Sequence, residues 1–346
     1  MSAKNPYLDR WDTPEGKDLL WQAVLWVTHG GDLPQGFGHT EEGRLDLRGL
    51  WVPEPVELAK IARPGSSFDV TLTSGRTMIE GRRWEDIDLS YSYLPDLWVT
   101  DTAFTNCLFD DAVLRQSRIW DTDATDCSFQ RADLRDIAIG TSTVPTHETQ
   151  WRNIDFTKAV LRDALFSGCH MDNITFDNAQ LNKASFQQCS MSRVTFAGKV
   201  REVEFDFRPL KDVPAPGKLI DSDFTRAQMW GVQISGVHLD NTSFPDDVRV
   251  IRNYPLVVLG AAQWIMENHP DELENFLEYD YMPLVRSNTH DLDSTEIIST
   301  ADLLVGELAN EYQKWDRALR AGEALLAELG FDEMARAWDE AVRTVA

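Results

Sequence analysis

The sequence predicts a mainly β repeat fold with helical segments at both ends, and three observations carry that prediction. The first is a five-residue beat of apolar residues: Leu89, Leu94, Val99, Phe104, Phe109, Leu114, Ile119, Ala124, Phe129, Leu134, Ile139 and Val144. The second is a small residue two positions before most beats, as at Ser92, Thr102, Cys107, Ala112, Ser117, Thr122, Cys127 and Ala132. The third is a period of twenty laid over the five, because Phe156, Phe176 and Phe196 match, as do Leu161 with Leu181, Phe166 with Phe186 and Met171 with Met191. A helix repeats its apolar face every three or four residues and a strand every two, so a strict five requires a corner at each beat. Four beats then make one turn.

The beat runs again from Phe156 to Phe196 and from Phe224 to Phe244. Its units read ADLRD at Ala132 to Asp136, AVLRQ at Ala112 to Gln116, AVLRD at Ala159 to Asp163, AQLNK at Ala179 to Lys183 and AQMWG at Ala227 to Gly231. In these units the sequence resembles the pentapeptide-repeat family over roughly residues 87–244. The resemblance implies a right-handed quadrilateral β-helix, each unit forming one side of a square coil. One unit buries nothing alone, but stacked coils superimpose like side chains, and such repeats stand on nearest-neighbour contacts. Each inward residue should contribute roughly 1.5–3 kcal/mol by burial. With coils about 4.8 Å apart, about six or seven of them span on the order of 30 Å.

The flanks follow other rules. Residues 1–84 are expected to cap the open end of the stack. A helix starts there at Pro14 with Thr13 as its cap and stops at Gly30 and Gly31, and Leu45, Leu47, Leu50 and Val52 suggest a partial first coil. A short helix opening at Pro53 is expected next. The repeat domain is expected over 85–245, with loops near 145–155 and 206–220 where the beat is interrupted. Residues 246–346 read as an α-helical domain, with helical composition over Leu256 to Asn268, Asp271 to Met282, Ala301 to Leu329 and Asp332 to Val345.

The chain has 57 acidic and 33 basic residues, a net charge of −24, which argues against direct nucleic-acid binding and against anionic membranes. The N-terminus carries no basic-then-apolar signal and no apolar run approaches the ~18 residues of a membrane span, so a cytoplasmic protein is expected. Cys107 and Cys127, like Cys169 and Cys189, are twenty apart at the small inward position and read as core residues. No phosphate loop, zinc-helix motif, nucleophile elbow or dinucleotide fingerprint is present, and the seven histidines are scattered. The expectation is a protein that is not an enzyme, with no catalytic residue, metal or cofactor.

Contact residues are expected in two sets. Asp96, Asp101, Asp111, Asp121, Asp126 and Asp136 each fall two residues after a beat, where side chains face solvent, and Trp98 and Trp120 lie on one face of adjacent coils. Exposed tryptophans beside acids suit a protein-binding face; the alternative is that they pack beneath a flanking N-terminal segment. The second set is on the two loops: His147, Glu148, Trp151, Arg208 and Lys211. The family resemblance implies a DNA mimic that binds a type II topoisomerase such as gyrase and protects it from a drug or toxin, as in antibiotic resistance. The alternative it leaves is a scaffold for protein–protein interaction in regulation. Residues 86–244 carry a net charge of only −8, against −13 in residues 245–346, so the charge argument for mimicry is modest. A homodimer through the C-terminal helices is a further expectation.

Overall fold

The computed structural model describes residues 6–33, 35–52, 77–142, 149–207, 218–278, 292, 295–299 and 309–345. Its central part is a long parallel sheet structure of short strands, each paired with the segment one period further on. Ile79 lies beside Val99, Val99 beside Ile119 and Ile119 beside Ile139. Trp84 lies beside Phe104, and Phe104 beside Ala124. Two further columns are joined by single bridges, Asp88–Leu108–Ser128 and Tyr93–Val113–Asp133. The chain therefore contributes to four parallel columns in every twenty residues.

The beat residues and the small residues before them point inward together. Leu89, Leu94, Phe156, Phe166, Phe186 and Phe196 are wholly buried, and so are Cys107, Ala112, Ser117, Thr122 and Ala132. Like side chains stack: the rings of Phe156 and Phe176 are 5.1 Å apart, Phe176 and Phe196 4.9 Å, and Phe196 and Phe224 4.5 Å. A second phenylalanine column joins Phe166, Phe186 and Phe205 at 4.8 Å per step. Each stacked pair is worth about 0.5–1.5 kcal/mol beyond the burial of its area. The four cysteines are free and buried. The sulfur of Cys107 lies 3.4 Å from the carbonyls of Trp84 and Thr105, either of which can accept its one S–H, and its hydrogen bond with Cys127, together with burial, pushes it up, so it stays protonated.

Both ends of the stack are covered. Helix α1 is Leu8–Asp12 and helix α2 is Pro14–His29. Thr13 Oγ1 accepts from the Gly16 amide at 2.9 Å, and Gly30 ends α2 at a φ of 75°. Leu20, Ala23, Val24 and Val27 of α2 enter the same core as Leu45, Leu47, Leu50 and Ile79. Leu45 pairs with Ile87 and Asp46 with Asp88 in parallel, which lays 45–52 under the stack. The short helix expected from Pro53 lies outside the described residues.

At the other end helix α3 is Tyr254–Asn268, α4 is Leu273–Phe276, α5 is Ala309–Leu329 and α6 is Phe331–Val345. Leu256, Val257, Ala261, Ala318, Leu319, Met334 and Trp338 form a second core. This region is not purely helical, as the sequence suggested. The strand Val248–Ile251 pairs antiparallel with Thr295–Ser299, which in turn pairs antiparallel with Gln233–Asp240 of the stack. Ile297 is 1% exposed in the stack core. A five-residue strand carries no helical or repeat period of its own, so its role appears only when its partner is known.

Three further corrections concern the extent of the repeat. Paired strands begin at Thr77, eight residues ahead of the boundary expected at 85. The loop expected over 145–155 already contains the strand Gln150–Asp155, whose Trp151 pairs with Ala124 and Met171. Inward residues also stand at Val200, Phe205 and Leu219, all buried. Val200 and Phe205 fall out of the five-residue register because Phe196 and Val200 are four apart, and the pairing shifts between Thr195 and Ala197; Leu219, five before Phe224, is cut off from them by the second loop. Residues 208–217 of the second loop lie outside the described residues; Lys218–Ile220 is a strand of the stack.

Candidate interaction surface

Most corners of the stack are turned by a residue with positive φ, with Thr141 and Arg226 as exceptions among the described residues. From Asp86 to Asp136 these residues come at five-residue intervals: Asp86, Tyr91, Asp96, Asp101, Asn106, Asp111, Gln116, Asp121, Asp126, Arg131 and Asp136, with φ between 47° and 62°. Asp and Asn are the non-glycine residues that best tolerate this left-handed region, because their short polar side chains bond locally. The row of aspartates is therefore set by backbone conformation. It does not form one acidic face, because residues twenty apart share a corner and residues five apart do not.

The six aspartates fare differently. Asp101, Asp126 and Asp136 are exposed and Asp96 is half-buried. Asp111 is held by Arg131 at 2.7 Å. Asp121 is buried, 6% exposed, and accepts from the Ser142 amide at 2.9 Å, which corrects its expected place in solvent. Asp126 accepts from Asn153 at 2.7 Å, and Asn153 accepts from Asn173 at 2.8 Å, forming a corner ladder that runs between layers. Other carboxylates of the stack are also engaged: Asp110 takes the Gln130 amide, Asp155 the Thr157 amide, and Asp133 the Arg135 guanidinium. Burial pushes the Asp110 carboxyl up despite its bonds from Ser128 and Gln130.

Trp98 and Trp120 do share one face. Their strands, Leu97–Thr100 and Arg118–Trp120, are adjacent, with Trp98 beside Arg118 and Thr100 beside Trp120. Both tryptophans are half-buried on the outward side, and Met78, beside Trp98 on the strand Thr77–Glu80, is 44% exposed. Asp101 and Asp121 turn the corner where the two tryptophan-bearing strands end. The Arg118 guanidinium is pinned by the carbonyls of Gln116, Ser117 and Asp136 at 3.1, 3.0 and 2.8 Å. It therefore stiffens the backbone beside the patch.

Trp151 belongs to the core and not to a contact loop. It is 1% exposed, stacks on Phe129 and Phe156, and donates its indole N–H to the Thr122 carbonyl at 3.0 Å. It is a beat residue five before Phe156, hidden because the inserted loop breaks the count from Ile139. His147, Glu148, Arg208 and Lys211 lie outside the described residues. Met78 was missed because it precedes the region where the repeat was recognised. Among the described residues no group of three His, Cys, Asp or Glu side chains is placed to hold a metal ion, and no helix is long and apolar enough to cross a membrane.

Parallel columns at a twenty-residue period, a left-handed residue at most of the fifth positions and outward side chains on regular strands define a five-residue β repeat protein. Residues 159–198 match the family model described as pentapeptide repeats (8 copies). Over those residues the chain carries pentapeptide repeats. No curated protein matches it in sequence. Among solved structures it is similar to HetL, a pentapeptide repeat protein involved in heterocyst differentiation regulation from the cyanobacterium Nostoc sp. strain PCC 7120. That match has 16% identity and a TM-score of 0.32, and covers 49% of this chain and 89% of that one. It is also similar to a trypsin-treated form of QnrB1, a plasmid-mediated fluoroquinolone resistance protein, with 17% identity and a TM-score of 0.29 over 59% of this chain and 92% of that one.

Proposed function

We propose that the chain is a non-enzymatic scaffold that binds a protein partner, built as a right-handed quadrilateral β-helix between an N-terminal cap and a C-terminal helical domain. The four parallel columns and the left-handed corners at most of the fifth residues support that geometry. The observation that carries the binding reading is the outward patch of Met78, Trp98 and Trp120 on three neighbouring strands of a stiff stack. Tryptophan is enriched at interface hot spots, and a side chain held on a regular sheet loses little further freedom on binding. The test is a cross-linked pull-down with the full chain against the double variant Trp98→Ala, Trp120→Ala. The patch reading expects the partner to be lost with the double variant; the same partner at the same yield would sink it.

A second reading, protection of a type II topoisomerase by DNA mimicry, is favoured by the net charge of −24 and by the exposed Asp101, Asp126 and Asp136. Duplex DNA carries one charge per ~1.7 Å, whereas here the corner aspartates are spread over different corners and several are bonded internally. Supercoiling and cleavage assays with gyrase and topoisomerase IV, with and without a quinolone across a salt series, separate the two readings. Salt-sensitive inhibition or rescue supports mimicry, and an inert protein leaves the scaffold reading in place.

A further inference from the structure

The repeat is shortened at one place, and the shortening opens a groove. Between the buried Phe196 and Val200 the unit has lost one residue, and the corner is turned by Gly198 at a φ of 85°. A Cβ there would lie 2.8 Å from Asn178 Oδ1. In preceding layers the same corner carries Arg131, Lys158 and Asn178, so at Gly198 the column of corner side chains is interrupted. The result is an open groove of about 420 Å³ lined by Asn178, Gln180, Asn182, Lys199, Arg201 and Gln228, with no acid in its wall.

The side chains form an ordered array. Lys199 pairs with Gln228 and Arg201 with Trp230, so Lys199 and Arg201 point outward two residues apart on one strand, about 7 Å along it. Gln180 and Asn182 flank them from the preceding layer. Trp230 is 47% exposed beside Arg201. The arginines at 131, 135, 193 and 226 are each spent on an aspartate, Asp111, Asp133, Asp172 and Asp177. Lys199 and Arg201 have no ion pair among the described residues. The nearest acid in sequence, Glu202, turns the next corner and does not line the groove.

We infer that this groove is a binding site for a small anionic ligand of the nucleoside-monophosphate class, an oxyanion attached to a planar ring with polar edges. Lys199 supplies a point charge and Arg201 a planar fork that takes two oxygens of one oxyanion. Trp230 offers a π face for the ring, and the amides of Gln180, Asn182 and Gln228 supply both donors and acceptors for its edge. The site lies on a different column from the Met78, Trp98 and Trp120 patch, so it stands or falls independently of the scaffold reading.

The test is isothermal titration of the full chain with AMP, with inorganic phosphate and with adenosine. It is repeated on the double variant Lys199→Ala, Arg201→Ala and on Trp230→Ala. All three side chains are exposed, and circular dichroism checks that the stack is intact. The expected result is AMP binding weakened by about tenfold or more in the double variant, since two charge-assisted contacts are lost. Trp230→Ala is expected to weaken AMP and leave phosphate unchanged. Absence of AMP binding at millimolar ligand, or binding that the double variant leaves unchanged, overturns the site. Phosphate binding equal to AMP binding and indifferent to Trp230→Ala overturns the ring and leaves a bare oxyanion site.

Discussion

Asp126 sits at a φ of 55°, a conformation that costs most L-residues roughly 1–2 kcal/mol and that Asp and Asn enter more readily. Its carboxylate also accepts from Asn153. Asp126→Val is therefore expected to lower unfolding stability by about 1–2 kcal/mol, while Asp126→Asn stays close to wild type; urea titration separates them, and equal midpoints would refute the backbone account. Asp46 shows a different role for an acid. Burial acts to raise its carboxyl, but hydrogen bonds from Arg48 and Arg10 outweigh it and bring it down to about 2 from an ordinary 3.8. A depressed carboxylate contributes stability above its unfolded pKa and loses it as pH falls through the folded one. The gap in urea midpoint between wild type and Asp46→Asn should be full at pH 5 and close progressively as pH falls from about 3.8 toward 2. A gap independent of pH would show that the ion pairs to Arg10 and Arg48 do not stabilise the N-terminal cap.

The elements succeed for different physical reasons. A repeat strand of three residues has almost no stability of its own and exists because its neighbours above and below complete its hydrogen bonds and stack its inward side chain. The C-terminal helices depend on one close crossing. A Cβ on Gly322 of α5 would lie 2.0 Å from the Val257 carbonyl of α3, and a Cβ on Gly260 would lie 2.9 Å from Gly322 Cα. Gly322→Ala must push the two helices apart, at a cost of about 1–3 kcal/mol. Thermal unfolding followed by circular dichroism should show the helical signal melting earlier in the variant than in wild type. Arg249 ties this crossing back to the sheet, because its guanidinium, 11% exposed, bonds Asp316 and Glu323 of α5.

For the whole molecule the ends matter most. A parallel stack presents unpaired amides and carbonyls at its first and last layers, and exposed edges of that kind recruit other chains. Here α2 and the segment 45–52 cover the first layer, and the antiparallel strand Thr295–Ser299 covers Gln233–Asp240 at the last. A chain ended after Pro245 loses that strand and uncovers the core around Ile234 and Val237. It should associate in light scattering at concentrations where the full chain does not; a monodisperse truncated chain would show that the strand is dispensable.

The sequence by itself determined the five-residue period, the inward residues and the N-terminal helix with its Thr13 cap. In a repeat each residue meets its own equivalents in adjacent layers, so local pattern and tertiary contact carry the same information. Only the tertiary structure decided the placement of Trp151, whose layer depends on where the inserted loop returns, and the register after Phe196, where one residue is missing. It also decided the covering strand Thr295–Ser299, whose partner lies some sixty residues earlier, and the fate of the acids. Whether a carboxylate faces solvent, an arginine or a backbone amide is set by residues a full turn or more away, and that distance lies beyond any pattern within a single unit.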